Sequence, residues 1–156
     1  MATEPELYYF CDPGKAPASP AGPRCEVVAV SDFLADEPAC RMVWELVDTQ
    51  FRTRSKFLAV WRCASAVVTH RDADGQLAGF LLVSSPVNWQ IDYVVVRPDA
   101  RGQGVAGALV RAAVAHAKSL GVPYIMLTSK ASLRPLYEAC GFEVVRAAAM
   151  VVPAAG

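Results

Sequence analysis

The stretch Tyr93-Val94-Val95-Val96-Arg97-Pro98-Asp99-Ala100-Arg101-Gly102-Gln103-Gly104-Val105-Ala106-Gly107-Ala108-Leu109 decides the fold. Its opening valines end a β-rich run that starts at Trp89, and Pro98 stops that run because it has no N–H to offer a ladder. Its last residues open a helical stripe of Ala106, Val110, Ala113, Val114, Ala117 and Leu120, closed by Gly121 and kept closed by Pro123. Gly102, Gly104 and Gly107 therefore lie between a strand end and a helix N-terminus. Free backbone N–H groups and the helix dipole favour an anion there, and residues with little side chain let a phosphate approach.

Three ligand classes use turns of this kind, and spacing separates them. A nucleotide P-loop needs Lys then Ser or Thr after its last glycine, whereas Ala108 and Leu109 follow Gly107. Gly102, Gly104 and Gly107 do satisfy the dinucleotide fingerprint G-x-G-x-x-G. That fingerprint starts at the strand end and has an acidic residue about 20 positions on. Here five residues, Arg97 to Arg101, intervene, and the next strand, Tyr124 to Lys130, offers Thr128 and Lys130 instead of an acid. The third class fits the whole stretch. V-V-V-R-P-D-A-R-G-Q-G-V-A-G-A-L resembles the acetyl-CoA motif R/Q-x-x-G-x-G/A of the GNAT N-acetyltransferases, with Arg101, Gly104 and Ala106 in register. Downstream, L-Y-E-A-C-G-F at Leu136 to Phe142 resembles the second signature of that superfamily. The resemblance covers Ser65 to Val152 well and the first sixty residues poorly.

The resemblance implies an α/β fold: a single GNAT-like domain with a central mixed, mostly antiparallel sheet and helices on both faces. It implies acetyl-CoA as co-substrate, no metal, and an acetyl transfer to a primary amine by direct attack. Main-chain amides from Gly102 through Gln103, Gly104, Val105 and Ala106 to Gly107 are expected to hold the diphosphate, with Arg101 beside them. Pantetheine is expected along Val94, Val95 and Val96, in the manner of an added strand. Tyr137 matches the family tyrosine that gives a proton to the departing thiolate; a free tyrosine, with a pKa of about 10, is a donor at neutral pH. The alternative for Tyr137 is a buried aromatic at a helix start. Asp92 is the candidate base, with Gln90 on the same face unless a bulge intervenes. Its alternative is a hydrogen bond at a strand end. Two departures from the family pattern stand near the last helix: Lys130 where asparagine is common, and Leu133 where alanine is. Ser132 is the expected cap of that helix, with Pro135 in its first turn. A non-catalytic acyl-CoA-binding module is the rival function, and a dinucleotide-dependent oxidoreductase a third.

Working outward, Ser65 to His70 and Gln76 to Ser84 read as two strands joined by Asp72-Ala73-Asp74-Gly75, and Asp-Gly supplies the positive φ of a hairpin. Lys56 to Ala64 fits a helix or a strand. Asp36 reads as an N-cap, with Pro38 in the first turn and Ala39, Val43, Leu46, Val47 and Gln50 at helical spacing. Cys25 to Val30 reads as a strand. Five prolines and two glycines crowd residues 1–24, which are expected to form an arm without a regular helix or central strand, ahead of the transferase domain at 25–156. Closing strands are expected at Glu143 to Arg146 and Ala148 to Val152.

Composition bounds the rest. At 156 residues and 54% hydrophobic content the chain makes one ordinary core. Fifteen basic residues balance fifteen acidic ones, which argues against nucleic acid or an anionic membrane as partner. Five scattered cysteines lack metal-ligand spacing and read as reduced thiols. No stretch has the length of a membrane span or the pattern of a secretory signal, so the cytoplasm is the expected compartment. The expected partners are a small-molecule or peptide amine and, by the symmetry habit of such folds, a second copy in a homodimer. His70 and His116 are discounted as catalysts. Trp44, Trp61 and Trp89 are candidates for an acceptor pocket, Trp61 and Trp89 ahead of Trp44.

Overall fold

The computed structural model describes residues 4–17, 22, 24–50, 54–84 and 89–145. Among them seven strands form one sheet: β1 (Glu6–Cys11), β2 (Cys25–Ala29), β3 (Ala64–Arg71), β4 (Leu77–Ser84), β5 (Trp89–Val96), β6 (Ile125–Lys130) and β7 (Glu143–Val144). Their order is β2-β3-β4-β5-β6-β1-β7. Only β5 and β6 pair in parallel. That pairing follows from the connection between them, the fifteen-residue helix α4 (Val105–Ser119), which returns the chain to the same end of the sheet. A single turn α1 (Val30–Phe33) and the helices α2 (Glu37–Gln50) and α3 (Arg54–Cys63) cover the opposite face, and α5 (Arg134–Ala139) follows β6 on the α4 side.

Three of the expected local devices are visible. The Asp36 carboxylate accepts the Ala39 N–H at 3.1 Å and so caps α2. The β3–β4 hairpin turns at Gly75, φ +78°, and the Asp72 carboxylate accepts the N–H groups of Asp74 and Gln76, both at 2.9 Å. Gly121 ends α4 at φ +68°. The ambiguous segment from Lys56 is helical as far as Cys63. Its Phe57 is fully buried and packs edge-on against Phe80 of β4 and Tyr93 of β5, at 6.2 and 5.1 Å between ring centroids. The side chains that make F-L-A-V-W readable as a strand instead face one side of a helix.

Three expectations are corrected. The amino-terminal stretch contains a strand, and it is internal: β1 pairs with β6 through all six residues, from Glu6↔Lys130 to Cys11↔Ile125, and with β7 on its other side. The six residues Glu6 to Cys11 contain no proline, so the crowding of prolines around them does not reach the ladder. Ser132 does not cap α5. That helix has Leu133 at its N-cap without a side-chain hydrogen bond, and the Ser132 N–H itself donates to the Glu4 carboxylate. Finally, β7 ends at Val144; the strand expected at Ala148 to Val152 lies outside the described residues.

Two cores sandwich the sheet. Leu109, Val110, Ala113 and Ala117 of α4 pack with Leu81, Val83 and Ile125, while Phe33, Val43, Val47 and Phe57 pack with Val67, Phe80 and Leu82. Each such side chain contributes roughly 1.5–3 kcal/mol by leaving water. A partly exposed ion pair such as Arg71–Asp36, at 2.9 Å, contributes at most about 1 kcal/mol, so the two apolar layers hold the fold.

Candidate active site

The site begins with a defect in the sheet. Between β4 and β5 the register runs Leu82↔Tyr93 and then Val83↔Ile91, which leaves Asp92 as an extra residue in a β-bulge. The bulge reverses the alternation of side chains. Ile91 lies in the α4-side core, whereas Tyr93 and Val95, which share its parity, belong to the other. Bulges bend and overtwist their strand. Beyond this one β5 parts from β6: their pairing is confined to Trp89↔Ile125 and Gln90↔Met126.

The parted strands border a cleft of about 610 Å³, a size suited to a small-molecule site. Gln90, Ile91, Asp92, Tyr93 and Val94 form one wall, and Leu127, Thr128 and Ser129 of β6 the other. Lys56 and Val60 of α3, Glu6 of β1, Leu133 and Tyr137 complete the lining. A smaller depression of about 150 Å³ sits at the start of α4, bordered by Val96, Arg101, Gly102, Gly104, Gly107 and Leu136. Val94 borders the first and Val96 the second, so one edge of β5 runs along both. The Val95 side chain faces the other core at 2% exposure, leaving its main chain as the only part that can serve a ligand here.

Gly102 and Gly104 have φ of +75° and +79°, a region that favours glycine, and Gly104 is the N-cap of α4. A Cβ built on either meets no atom within 4 Å, so the space over the turn is open and conformation, not crowding, requires glycine. Arg101 Nε donates to the Val96 carbonyl at 3.4 Å and Gln103 Nε2 to the Asp99 carbonyl at 3.3 Å, which folds both side chains back onto the turn. Val105 is buried yet borders the depression together with Ala106 and Gly107. This geometry fits a diphosphate held by main-chain N–H groups at a helix start.

Tyr137 is 4% exposed yet reaches the cleft, hydrogen-bonded to the Ser129 side chain. Its ring lies 5.0 Å from that of Tyr9 and 6.0 Å from that of Phe142. Burial pushes its phenol above the ordinary value of 10.0, against a smaller opposing effect of Ser129. Asp92 reaches the same cleft from β5. Burial raises its carboxyl above 3.8, again opposed by a hydrogen bond, from Ser84. Its Oδ2 is buried without a hydrogen-bond partner among the described residues. The two candidate proton-transfer groups thus share one cavity, with Gln90 on its wall despite the bulge.

Other expected residues lie elsewhere. Trp89, 7% exposed, belongs to the α4-side core and packs at a tilt against His116, with 5.2 Å between ring centroids. Trp44 and Trp61 line a separate pocket of about 190 Å³ between α2 and α3, so the tryptophans do not form the wall of the main cleft. Large aromatics gain more by filling cores than by facing a polar cleft. His70 is on β3, paired with Cys25 of the edge strand. Cys140 is buried, its thiol raised by burial and 3.9 Å from the Gly107 carbonyl.

Sequence reasoning missed Gly79. A Cβ there would stand 2.8 Å from the Val95 carbonyl oxygen, 3.0 Å from Val105 Cγ1 and 3.2 Å from Leu109 Cδ1, so this glycine lets the start of α4 lie against the sheet. An isolated glycine inside a strand is the signal that could have found it. Lys56, Ser129 and Glu6 carry no local signal, because they meet only through the fold.

Residues 30–142 match the sequence model of the acetyltransferase (GNAT) family. Among solved structures, an acetyltransferase assigned to the GNAT family from Novosphingobium aromaticivorans is 25% identical over 92% of the chain, with a TM-score of 0.69, and 61% of its own length is covered. A GCN5-related N-acetyltransferase from Sphaerobacter thermophilus has a TM-score of 0.67 at 20% identity over 90% of this chain and 48% of its own. A GNAT-family acetyltransferase from Colwellia psychrerythraea has a TM-score of 0.66 at 13% identity, covering 92% of this chain and 53% of its own. The last two share the fold. The chain thus spans about half to three fifths of the length of these neighbours. No curated protein matches its sequence. Among the described residues no helix is long and apolar enough to cross a membrane, and no cluster of His, Cys, Asp and Glu is built to hold a metal ion.

Proposed function

From the premise that the chain belongs to the GNAT acetyltransferase family, we propose that it moves an acetyl group from acetyl-CoA to a primary amine of a small molecule or peptide, by direct attack in a ternary complex. One observation carries this reading: the parted β5 and β6 border both an open glycine turn at a helix start and a cleft whose lining includes Tyr137 and Asp92. When bound, acetyl-CoA supplies a thioester carbonyl and a thiolate leaving group.

In this mechanism the N–H groups of the Gly102 to Gly107 turn hold the diphosphate, and main-chain groups of Val94 to Val96 align the pantetheine along β5. Asp92 takes the proton of the incoming ammonium, directly or through a water. Its raised pKa brings it closer to the strength such a base needs. The neutral amine forms the new C–N bond at the thioester carbonyl; as the C–S bond breaks, Tyr137 gives its hydroxyl proton to the thiolate and regains one from the proton shed by the amide nitrogen, and burial keeps that hydroxyl protonated at neutral pH. Besides Asp92, Lys56 and Glu6 on the cleft wall are charged groups that an acceptor meets.

The test is calorimetric titration with acetyl-CoA, CoA and NAD, on the wild type and on Gly104→Glu, followed by an amine screen with Tyr137→Phe as control. Micromolar acetyl-CoA binding that Gly104→Glu abolishes, together with turnover, supports the transferase. Binding without turnover of any amine makes the chain an acyl-CoA-binding module. If neither CoA species binds, the proposed function is wrong.

A further inference from the structure

The residue that holds Tyr137 comes from the other end of the chain. Tyr9 sits in the middle of β1, opposite Leu127 of β6 and Val144 of β7, and is fully buried. Its ring backs that of Tyr137 at 5.0 Å with an interplanar angle of 47°. Its hydroxyl donates to the Lys130 carbonyl at 3.2 Å, where β6 ends and the chain turns through Ala131–Leu133 into α5. Two further ties involve the next two residues after Lys130: the Ala131 N–H donates to the Pro5 carbonyl at 3.0 Å, and the Ser132 N–H to the Glu4 carboxylate. The entry to α5 is thus fastened to residues 4–9 at three points. The helix has only six residues and no side-chain cap of its own, so it cannot fix the direction of Tyr137 alone.

We infer that Tyr9 is a positioning residue for the transfer, with its ring and hydroxyl setting the orientation in which Tyr137 delivers its proton, and that the amino-terminal strand is therefore a working part of the active site. The inference rests on the proton-donor role proposed for Tyr137. A one-ångström displacement of a reacting group is enough to lower a rate substantially. Tyr9 lies beneath Tyr137 and away from the glycine turn, so its loss should act on the chemical step and leave cofactor binding intact.

The experiment is a double-variant cycle in the full chain: Tyr9→Phe and Tyr9→Leu, each alone and combined with Tyr137→Phe, with kcat, KM for acetyl-CoA and Tm measured throughout. Phe keeps the ring and loses the tie to Lys130, and Leu loses both. Expected are falls in kcat of about threefold for Phe and about tenfold for Leu, with KM for acetyl-CoA unchanged, and both falls vanishing in the Tyr137→Phe background. Equal falls in both backgrounds, a rise in that KM, or an unchanged kcat in Tyr9→Leu would overturn the inference. Should Tyr9→Leu fail to fold, the Tyr9→Phe arm decides by the same criterion. If Tyr137→Phe alone leaves kcat unchanged, the proton-donor role fails in its own right, an outcome distinct from failure of the coupling.

Discussion

Burial acts on the two proton-transfer candidates in the same direction, upward, with opposite chemical consequences. For Tyr137 it secures the protonated form that a donor needs; for Asp92 it makes a stronger base at some cost in stability. Replacing Tyr137 by Phe should lower kcat about 100-fold with little effect on acetyl-CoA affinity and should remove any alkaline limb from the pH–rate profile. A wild-type loss of rate above pH 10 that persists in Tyr137→Phe would assign that limb to another group. The linkage for Asp92 has a definite sign. Its folded pKa lies above the ordinary 3.8, so below pH 3.8 the group is protonated in both states and costs nothing. Stability is lost as pH rises from there through the raised folded value. The Tm of the wild type relative to Asp92→Asn should therefore be most favourable near pH 3 and decline as pH rises to 6. A flat difference across that range would mean that Asp92 is not perturbed by burial. Thiols offer an independent check on packing. Burial pushes Cys11 up to about 11, and Cys63 is exposed, so a thiol reagent at neutral pH should modify Cys63 well before Cys11.

At the scale of elements, the close contact of α4 with β4 and the left-handed turn before α4 depend on different glycines for different reasons. Gly79 is crowded and Gly104 is not. Gly79→Ala must push the Val95 carbonyl or the start of α4 away, at about 1–3 kcal/mol, and should lower Tm by several degrees. Gly104→Ala meets no neighbour but must hold φ near +79°, at roughly 1 kcal/mol, and should weaken acetyl-CoA binding more than it lowers Tm. Thermal melts and titrations on the two variants separate the effects; the same balance of losses in both would mean that the turn and the packing are one unit. Arg97 joins these elements. Its side chain pairs with Asp72 of the β3–β4 hairpin at 2.9 Å and with Asp99, and donates to the Leu77 carbonyl at 3.1 Å. It anchors the hairpin to the strand end from which the glycine turn departs.

Across the whole molecule, the amino-terminal strand changes which part of the chain is stable. A terminal arm exchanges its amide hydrogens rapidly, whereas a strand hydrogen-bonded on both sides exchanges only when the sheet opens. Amide exchange followed by mass spectrometry should protect residues 7–11 to the same degree as β6. Complete exchange of that segment within seconds would remove β1 from the sheet, and with it the basis for linking Tyr9 to Tyr137. The order β6-β1-β7 also makes the fold depend on contacts between its two ends, Tyr8 with Val145 and Tyr9 with Val144. Such pairings close nearly the whole chain as a loop and are expected to form late in folding.

The glycine turn, the Asp72 hairpin, the cap at Asp36 and the α4 stripe from Val110 to Ala117 were legible in the sequence, because each rests on residues a few positions apart whose chemistry is local: a positive φ, a missing N–H, a carboxylate within reach of its own helix; Leu120, read as the end of that stripe, lies past the helix and is exposed. These features, with the second signature around Tyr137, were sufficient for the family and for the place of the glycine turn at the start of α4. Three features needed the tertiary structure. The bulge at Asp92 is a mismatch in count between two strands, and neither strand shows it alone. The contact at Gly79 exists because the Val95 carbonyl of the neighbouring strand and the start of α4, which begins at Val105, both close on it. The strand at Glu6–Cys11 is stabilised by partners at 125–130 and 143–144, so nothing within those six residues distinguishes an internal strand from an apolar arm. What sets the cleft, its lining and the support of Tyr137 is contact between distant segments, and such contacts leave no periodicity for a sequence to display.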